Sequence, residues 1–346
     1  MKKVIVLLLC TALIIMAMAG CTPTAPQSSA AASPSQAAAS PSEPAKESPD
    51  QPAAGAKKVA FICKAYSDAF CVWVKNEMEK LAKEKYAGEF EFAAFDAENN
   101  SEKQINQINN AVANKFDVII FQQVDTQAPV TAVKDAVSKG VTVIAVTGHI
   151  EDGGASIYVD SSPEQQGTLI GQVAAERLAK DAKIAILQGP AGNPHANGRE
   201  AGFKKGLETR KDVQIADEQI GEWQKEKGLT ITQNWLSSIK DLQGILCHND
   251  NMALGAYEAI KMAGKEGKIQ IYGVDAMAEA VLAVKDGKME ATVFQNAIAF
   301  AEKGLEFASK ALKGEKLESI IVDSELVTKD NVEKYIELHK QLGNIK

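Results

Sequence analysis

The chain has 346 residues, 45% of them hydrophobic and 24% charged, and a formal net charge of −7. That is the composition of a globular protein, and the folded part is long enough for more than one core. The acidic balance argues against nucleic acid as a partner. Of five cysteines, Cys10 and Cys21 lie at the N-terminus, and the remaining Cys63, Cys71 and Cys247 are an odd number that cannot all pair within the chain.

Lys2 and Lys3 precede an apolar run from Val4 to Ala17, and small residues lead to Ala19-Gly20-Cys21. A basic start, an apolar core and a small-residue end make a secretory leader. The core is shorter than the roughly 20 residues of a comfortable membrane span. Met18-Ala19-Gly20-Cys21 resembles a bacterial lipobox with Met in place of the usual Leu. The resemblance implies that residues 1–20 are a lipoprotein signal peptide and that Cys21 is acylated, anchoring the protein outside the cytoplasm on the cell membrane. Loss of Lys2 and Lys3 takes the charge from −7 to about −9. From Thr22 to Ala56 there is no aromatic or large aliphatic residue. Such a stretch cannot bury enough apolar area to fold, so residues 21–57 read as a disordered tether.

From Lys58 the pattern alternates. Strands are expected at "KVAFICKA" (58–65), "EFEFAAFDA" (89–97), "FDVIIFQQV" (116–124) and "VTVIAVTGH" (141–149), with helical patterns such as 69–86 and 126–140 between them. A pause is expected over 156–167. Strands then resume at 182–189, 213–222, 242–250 and 269–276, each followed by a helix. Strand, helix, strand at this spacing means βαβ units and parallel sheets. About 290 folded residues divide naturally into two doubly wound α/β domains, with the cleft between them as the default ligand site.

The expected strand ends carry mostly neutral amides and hydroxyls. No phosphate-cradling glycine loop, nucleophile elbow or zinc-binding helix motif is present. "GILCHNDNMALGA" (244–256) is representative: an apolar strand breaks into Cys247-His248-Asn249-Asp250-Asn251 before a helix. One Asn or Asp suffices to cap that helix, so Asn249 is expected to reach the cleft. Ligands of open α/β sheets bind just beyond such strand ends. Amides and carboxylates beside aromatic faces suit a neutral, hydroxyl-rich ligand.

The order and spacing of "FDAENN" (95–100), "LQGPAG" (187–192), "REAGF" (199–203), "HNDNMALGA" (248–256), "YGVDA" (272–276), "ALKGE" (311–315) and "VDSELVTKDNVEKY" (322–335) resemble the type I periplasmic sugar-binding proteins. The resemblance runs from about Lys58 to the C-terminus. It implies three crossings between lobes, near Asp160–Ser162, Gln295–Ala297 and Asp323–Ser324. The lobes would then be 58–160 with 296–323, and 161–295 with 324–346. It further implies a monomeric, non-enzymatic solute-binding protein without a cofactor, serving the permease subunits of an ABC importer. A receptor passing a sugar-like signal to a sensor kinase or chemoreceptor stays open as the alternative. A lac-repressor-type regulator would need a DNA-binding helix-turn-helix where this chain has a leader.

By the same resemblance, Phe70 and Trp223 fall where rings sandwich the sugar, and Asn249, Asp275 and Gln295 at hydrogen-bonding positions. Asp68 and Gln122 occupy contact positions with altered side chains. An Asp-Arg pair of ribose-type members is Thr147-Gly148 here, and a further ligand-binding Arg is replaced by Asn197, with Arg199 expected to be structural. The loss of cationic groups implies a neutral polyhydroxy ligand other than ribose. For Asp275 the bland reading is a helix cap. Trp73 and Trp235 read as core. His149, His195 and His248 lack metal-ligand spacing, so no metal is expected. Cys71, in a first helical turn beside the cleft, could have a partly lowered pKa.

Overall fold

The computed structural model describes residues 55–346. The leader, Cys21 and most of the tether therefore lie outside the described residues. Two six-stranded sheets organise the rest. The first contains β1 (Lys58–Cys63), β2 (Glu91–Asp96), β3 (Val118–Phe121), β4 (Thr142–Val146), β5 (Ile157–Ser161) and β11 (Ile320–Val322), in the order β11-β5-β4-β3-β1-β2. The second contains β6 (Lys183–Gln188), β7 (Gln214–Ile220), β8 (Leu242–Cys247), β9 (Gln270–Tyr272), β10 (Ala291–Phe294) and β12 (Glu325–Thr328), in the order β12-β10-β9-β8-β6-β7. Pairing is parallel throughout except for β12, which runs antiparallel to β10. This is the two-sheet, doubly wound α/β architecture that the alternation of apolar runs and helical patterns predicts.

The continuous apolar strands follow from burial on both faces. Along β3, Val118 and Ile120 face one core cluster, and Ile119 and Phe121 face another. Helices α1 (Ala69–Glu84) and α9 (Ala297–Leu312) cover the first face. The second is covered by α2 (Ser101–Ala113) and α3 (Val130–Ser138). Trp73 and Trp235 are both buried, and the Trp235 indole donates to Asp217 at 2.6 Å.

The stretch 156–167 is not a pause. It forms β5 and the start of α4 (Pro163–Arg177). Three apolar residues followed by Asp-Ser-Ser-Pro look like a turn when read locally. The strand is completed by pairing with β4 on one side and with the distant β11 on the other, which no local pattern reveals. The chain leaves the first sheet after Ser161, returns to pack α9 against it after Phe294, and leaves again between Val322 and Glu325.

Helices α4 and α5 (Pro194–Gly206) approach each other backbone to backbone. A Cβ on Gly167 would come within 2.2 Å of the Arg199 carbonyl oxygen, and one on Gly202 within 2.3 Å of that of Glu164. Glycine at these positions permits a separation that any side chain would prevent. Relieving such overlaps requires backbone movement, which typically costs about 1–3 kcal/mol. Gly202→Ala should therefore lower the unfolding free energy by about that amount, read from the urea midpoint. An unchanged midpoint would mean that the helices are not packed this closely.

Candidate functional site

Loops at the carboxyl ends of strands from both sheets converge on a cavity of about 50 Å³. By the rule that an ordered water needs about 10–15 Å³ on this measure, the cavity is narrow. From the first sheet come Asp68 and Phe70 after β1, and Thr147 after β4. From the second come Trp223 after β7, Asn249 after β8 and Asp275 after β9, with Gln295 after β10. The structure thus brings seven of the nine expected residues together.

Gln122 and Asn197 do not line it. Gln122 is buried, and neither atom of its amide has a partner. Its neighbour Gln123 lines the cavity instead, because successive side chains of an extended segment point to opposite sides. Asn197 is exposed on α5, and Arg199 faces the cavity. Two residues on a helix are about 200° apart, so the pair cannot share a face. Arg199, expected to be structural, therefore lines the cavity as a cationic group, and Lys64 adds a second. Lys64, Gln123 and Asn193 also line the cavity and were not anticipated there; Cys71, expected beside the cleft, and His195 line it too. A lysine directly after the buried strand "VAFIC" was the available signal for Lys64.

Arg199 is 3% exposed. Its Nε donates to Gln166 Oε1 at 3.0 Å, Nη1 to the His248 carbonyl at 2.6 Å, and Nη2 to Gln295 Oε1. Asp275 Oδ1 lies 3.6 Å from Nη2. Burial pushes the Asp275 carboxyl well above the usual range, while Arg199 pulls the other way. Nearby Asp250 is pushed up to about 6 by burial, against hydrogen bonds from Thr292 at 2.7 Å and the Met277 amide at 2.9 Å. Helix α8 (Ala278–Lys285) has Met277 at its cap, without a side-chain cap bond. Asp275 is thus not a cap. Its φ of 126° is a conformation that strains any residue with a side chain, by about 1–3 kcal/mol.

The other polar groups serve locally as well. Asn249 caps α7 (Asp250–Met262), its Oδ1 accepting from the Met252 amide at 3.0 Å, while Nδ2 donates to the Trp223 carbonyl at 3.2 Å. That bond holds Trp223, which sits at a φ of 66° with its ring over Gly189, where a Cβ would come within 2.3 Å. The Trp223 ring meets Lys64 Nζ from the first sheet at 5.7 Å and Arg199 Cζ at 5.6 Å. Asp68 caps α1 and pairs with Lys64 at 2.8 Å. Burial opposes the ionised Asp68 carboxyl, yet Lys64 holds it below the usual range. Phe70 packs edge-on against Trp73 and Phe300. The neighbouring Cys63 thiol and burial raise the pKa of the Cys71 thiol, opposite to the lowering expected.

His248 and His149 are hydrogen-bonded, whereas His195 Nε2 is buried without a hydrogen-bond partner. Nδ1 of His248 accepts from the Gly189 amide at 3.1 Å, leaving Nε2–H to donate to Glu200 at 3.0 Å. Asp160, beside the first crossing, lies between His149 Nδ1 at 2.7 Å and His195 Nε2 at 3.4 Å. Among the described residues no three His, Cys, Asp or Glu side chains are grouped to hold a metal ion.

The hydrogen bond to Asp160 raises the pKa of His149 above its ordinary value, although burial works against it. A raised folded-state pKa gives stability that is complete below the unfolded value of about 6.5 and lost as pH rises through the folded one. The stability difference between the native chain and His149→Gln should therefore be largest near pH 5.5 and shrink by pH 8, measured by urea unfolding across that range. A difference independent of pH would show that no ion pair forms. His149 is about half exposed, so the effect is small.

Residues 59–316 match the model of the periplasmic binding protein domain. The chain is 31% identical to the ribose import binding protein RbsB of Bacillus subtilis (strain 168) over 255 residues, covering 74% of this chain and 81% of that protein. It is also 31% identical to a putative rhizopine-binding protein of Rhizobium meliloti, covering 82% and 94%. The crystal structure of an ABC transporter solute-binding protein from Bacillus halodurans C-125 with bound myo-inositol superposes with a TM-score of 0.78 at 29% identity, covering 83% of this chain and 99% of that one. The two parallel-dominated sheets, the polar cavity at their strand ends and these likenesses agree. The chain belongs to the type I periplasmic sugar-binding proteins, a family of binding proteins and not of enzymes.

Proposed function

We propose that the protein is a lipid-anchored solute-binding protein of an ABC importer, and that it captures a neutral sugar or polyol between lobes that close about the three crossings. The observation that carries this reading is a cavity lined by the rings of Phe70 and Trp223 and by the hydrogen-bonding groups of Asn249, Asp275, Gln295 and Arg199. Rings offer faces for C–H surfaces, and the polar groups match hydroxyls. Charge supports a neutral ligand. Lys64 is balanced by Asp68, and Arg199 already donates from Nε, Nη1 and Nη2 within the fold with Asp275 Oδ1 3.6 Å away, so neither cation stands free to attract an anion. Strain held at Asp275 supports a ligand role for its carboxylate, since such strain clusters at functional positions.

Arg199 at the cavity wall offers remaining N–H donors to a ligand, which narrows the expected discrimination against ribose. The pair replaced by Thr147-Gly148 is still absent. A charge-assisted hydrogen bond is worth about 1.5–3 kcal/mol, or roughly tenfold or more in affinity. Among D-ribose, D-allose, xylitol and myo-inositol, calorimetry should find D-ribose at least tenfold weaker than the best binder. Asp275→Ala should weaken that binder at least thirtyfold while circular dichroism stays native. Sub-micromolar ribose would overturn the ligand argument, and full affinity in Asp275→Ala would remove the carboxylate from the site.

The anchor rests on Met18-Ala19-Gly20-Cys21 and the tether composition. Cys21→Ala should move the protein from the membrane fraction to the soluble fraction, or leave the precursor uncleaved. Normal processing with unchanged membrane retention would reject lipidation at Cys21.

A further inference from the structure

Beside the cavity lies a second chamber of about 140 Å³, and Lys64, Gln123, Asn193 and Trp223 line both spaces. The chamber is the roomier of the two. Its own walls are the loop after β3, including Thr126, and the loop after β6, from Pro190 to Pro194.

Gln123 sits where the two spaces meet. It is 7% exposed, and its Oε1 has no hydrogen-bond partner. A buried carbonyl left without a donor is costly, which points to a ligand group that supplies one. Glycine at position 148 makes this placement possible, because a Cβ there would come within 1.6 Å of Gln123 Nε2. The rest of the lining offers no free cation, and its one unpaired carboxylate, Asp125, is exposed. Lys64 is paired with Asp68 at 2.8 Å, and Asp125 Oδ1 accepts the Gln127 and Ala128 amides at 2.8 and 2.7 Å. Asn193 Oδ1 accepts the His195 and Ala196 amides at 3.0 and 3.2 Å, which leaves its Nδ2 to donate. What remains is an acceptor at Gln123, a donor at Asn193, the Asn99 amide from the loop after β2 and the Thr126 hydroxyl, with Pro190, Pro194 and Trp223. These groups match hydroxyls and C–H faces, and no unpaired cation is present for a phosphate or carboxylate.

We infer that the chamber receives a second, neutral sugar ring, so that the ligand is a glycosylated sugar or polyol rather than a monomer. This rests on the reading of the cavity as a sugar or polyol site. One ring occupies the cavity against Phe70 and Trp223, and the glycosidic bond passes Gln123, whose Oε1 accepts a hydroxyl.

Calorimetry on the intact exported chain, with D-glucose and myo-inositol as monomers and trehalose, maltose and galactinol as glycosylated counterparts, tests the inference. At least one glycosylated compound should bind at least tenfold more tightly than its monomer. Thr126→Trp, and independently Ala191→Phe, fill the chamber without touching the cavity. Each should abolish that preference while changing the monomer's affinity less than threefold, with the ligand-free thermal midpoint confirming the fold. Monomer binding with every glycosylated compound weaker than its monomer would overturn the chamber and leave the sugar reading intact. A preference that survives both substitutions would overturn it too. Binding by none of the five, with D-ribose, D-allose and xylitol also failing, would reject the sugar reading and the chamber with it, whereas binding of one of those three alone would overturn the chamber and leave the sugar reading intact.

Discussion

One buried guanidinium connects all three places where the chain changes sheet. Arg199 donates to Gln166, and the Gln166 amide in turn donates to Ser161 Oγ at 3.0 Å and Ser324 Oγ at 3.1 Å. Ser161 ends β5 at the first crossing, and Ser324 lies between β11 and β12 at the third. The second crossing joins through Gln295, which accepts from Arg199 directly. A buried charge is tolerable only when its hydrogen-bonding capacity is met, and losing a partner costs several kcal/mol. The members of this network are thus not independent. Any group that competes for Arg199 within the cavity acts on the bonds that brace the crossings. The close approach of α4 and α5 belongs to the same constraint, since Gln166 and Arg199 sit on those two helices and reach each other only because glycines line the contact.

A second concentration of cost surrounds Asp275. Its backbone is strained, its carboxyl is buried, and Asp250 is buried nearby with its own pKa raised. Strain of this kind persists only where the surroundings over-determine it. Here the Asp275 amide donates to the Val293 carbonyl at 2.8 Å, and the Ala276 amide donates to Thr292 Oγ1 at 3.1 Å. The Thr292 hydroxyl itself donates to Asp250, which also accepts from the Met277 amide. Glycine would satisfy the backbone at 275 more cheaply. A carboxyl group is held there despite strain and burial; it does not cap the following helix, and it lines the cavity.

The alternation of strands and helices, and with it both sheets, was legible because apolar runs and helical periodicity are local signals. Strand β5 was not, since its pairing depends on β11 more than 150 residues away. At the site, residues directly after strands were readable: Asn249, Asp275 and Gln295 follow β8, β9 and β10 closely enough that strand direction carries them to the cleft. Errors arose where one residue of register decides the outcome. Gln122 and Gln123 are chemically identical, and only the end point of β3 determines which faces the cavity. Asn197 and Arg199 differ by two positions on a helix, which reverses their faces. Lys64 was overlooked because a lysine after a buried strand reads as a solvated end, whereas its partner Asp68 holds it in the wall.

These particulars explain how a wall containing two cations and two carboxyl groups can suit the proposed uncharged ligand. Lys64 is neutralised by Asp68 and caught over Trp223, and Arg199 is committed to a carbonyl, two amides and a nearby carboxylate. Each charge is fixed by neighbours before any ligand arrives, so the cavity presents oriented dipoles rather than a net field. Oriented dipoles reward hydroxyls, which donate and accept at once, and give an ion little in return for its lost hydration. The polarity of the site therefore follows from pairing within the fold, and the count of charged residues in the sequence is a poor guide to it.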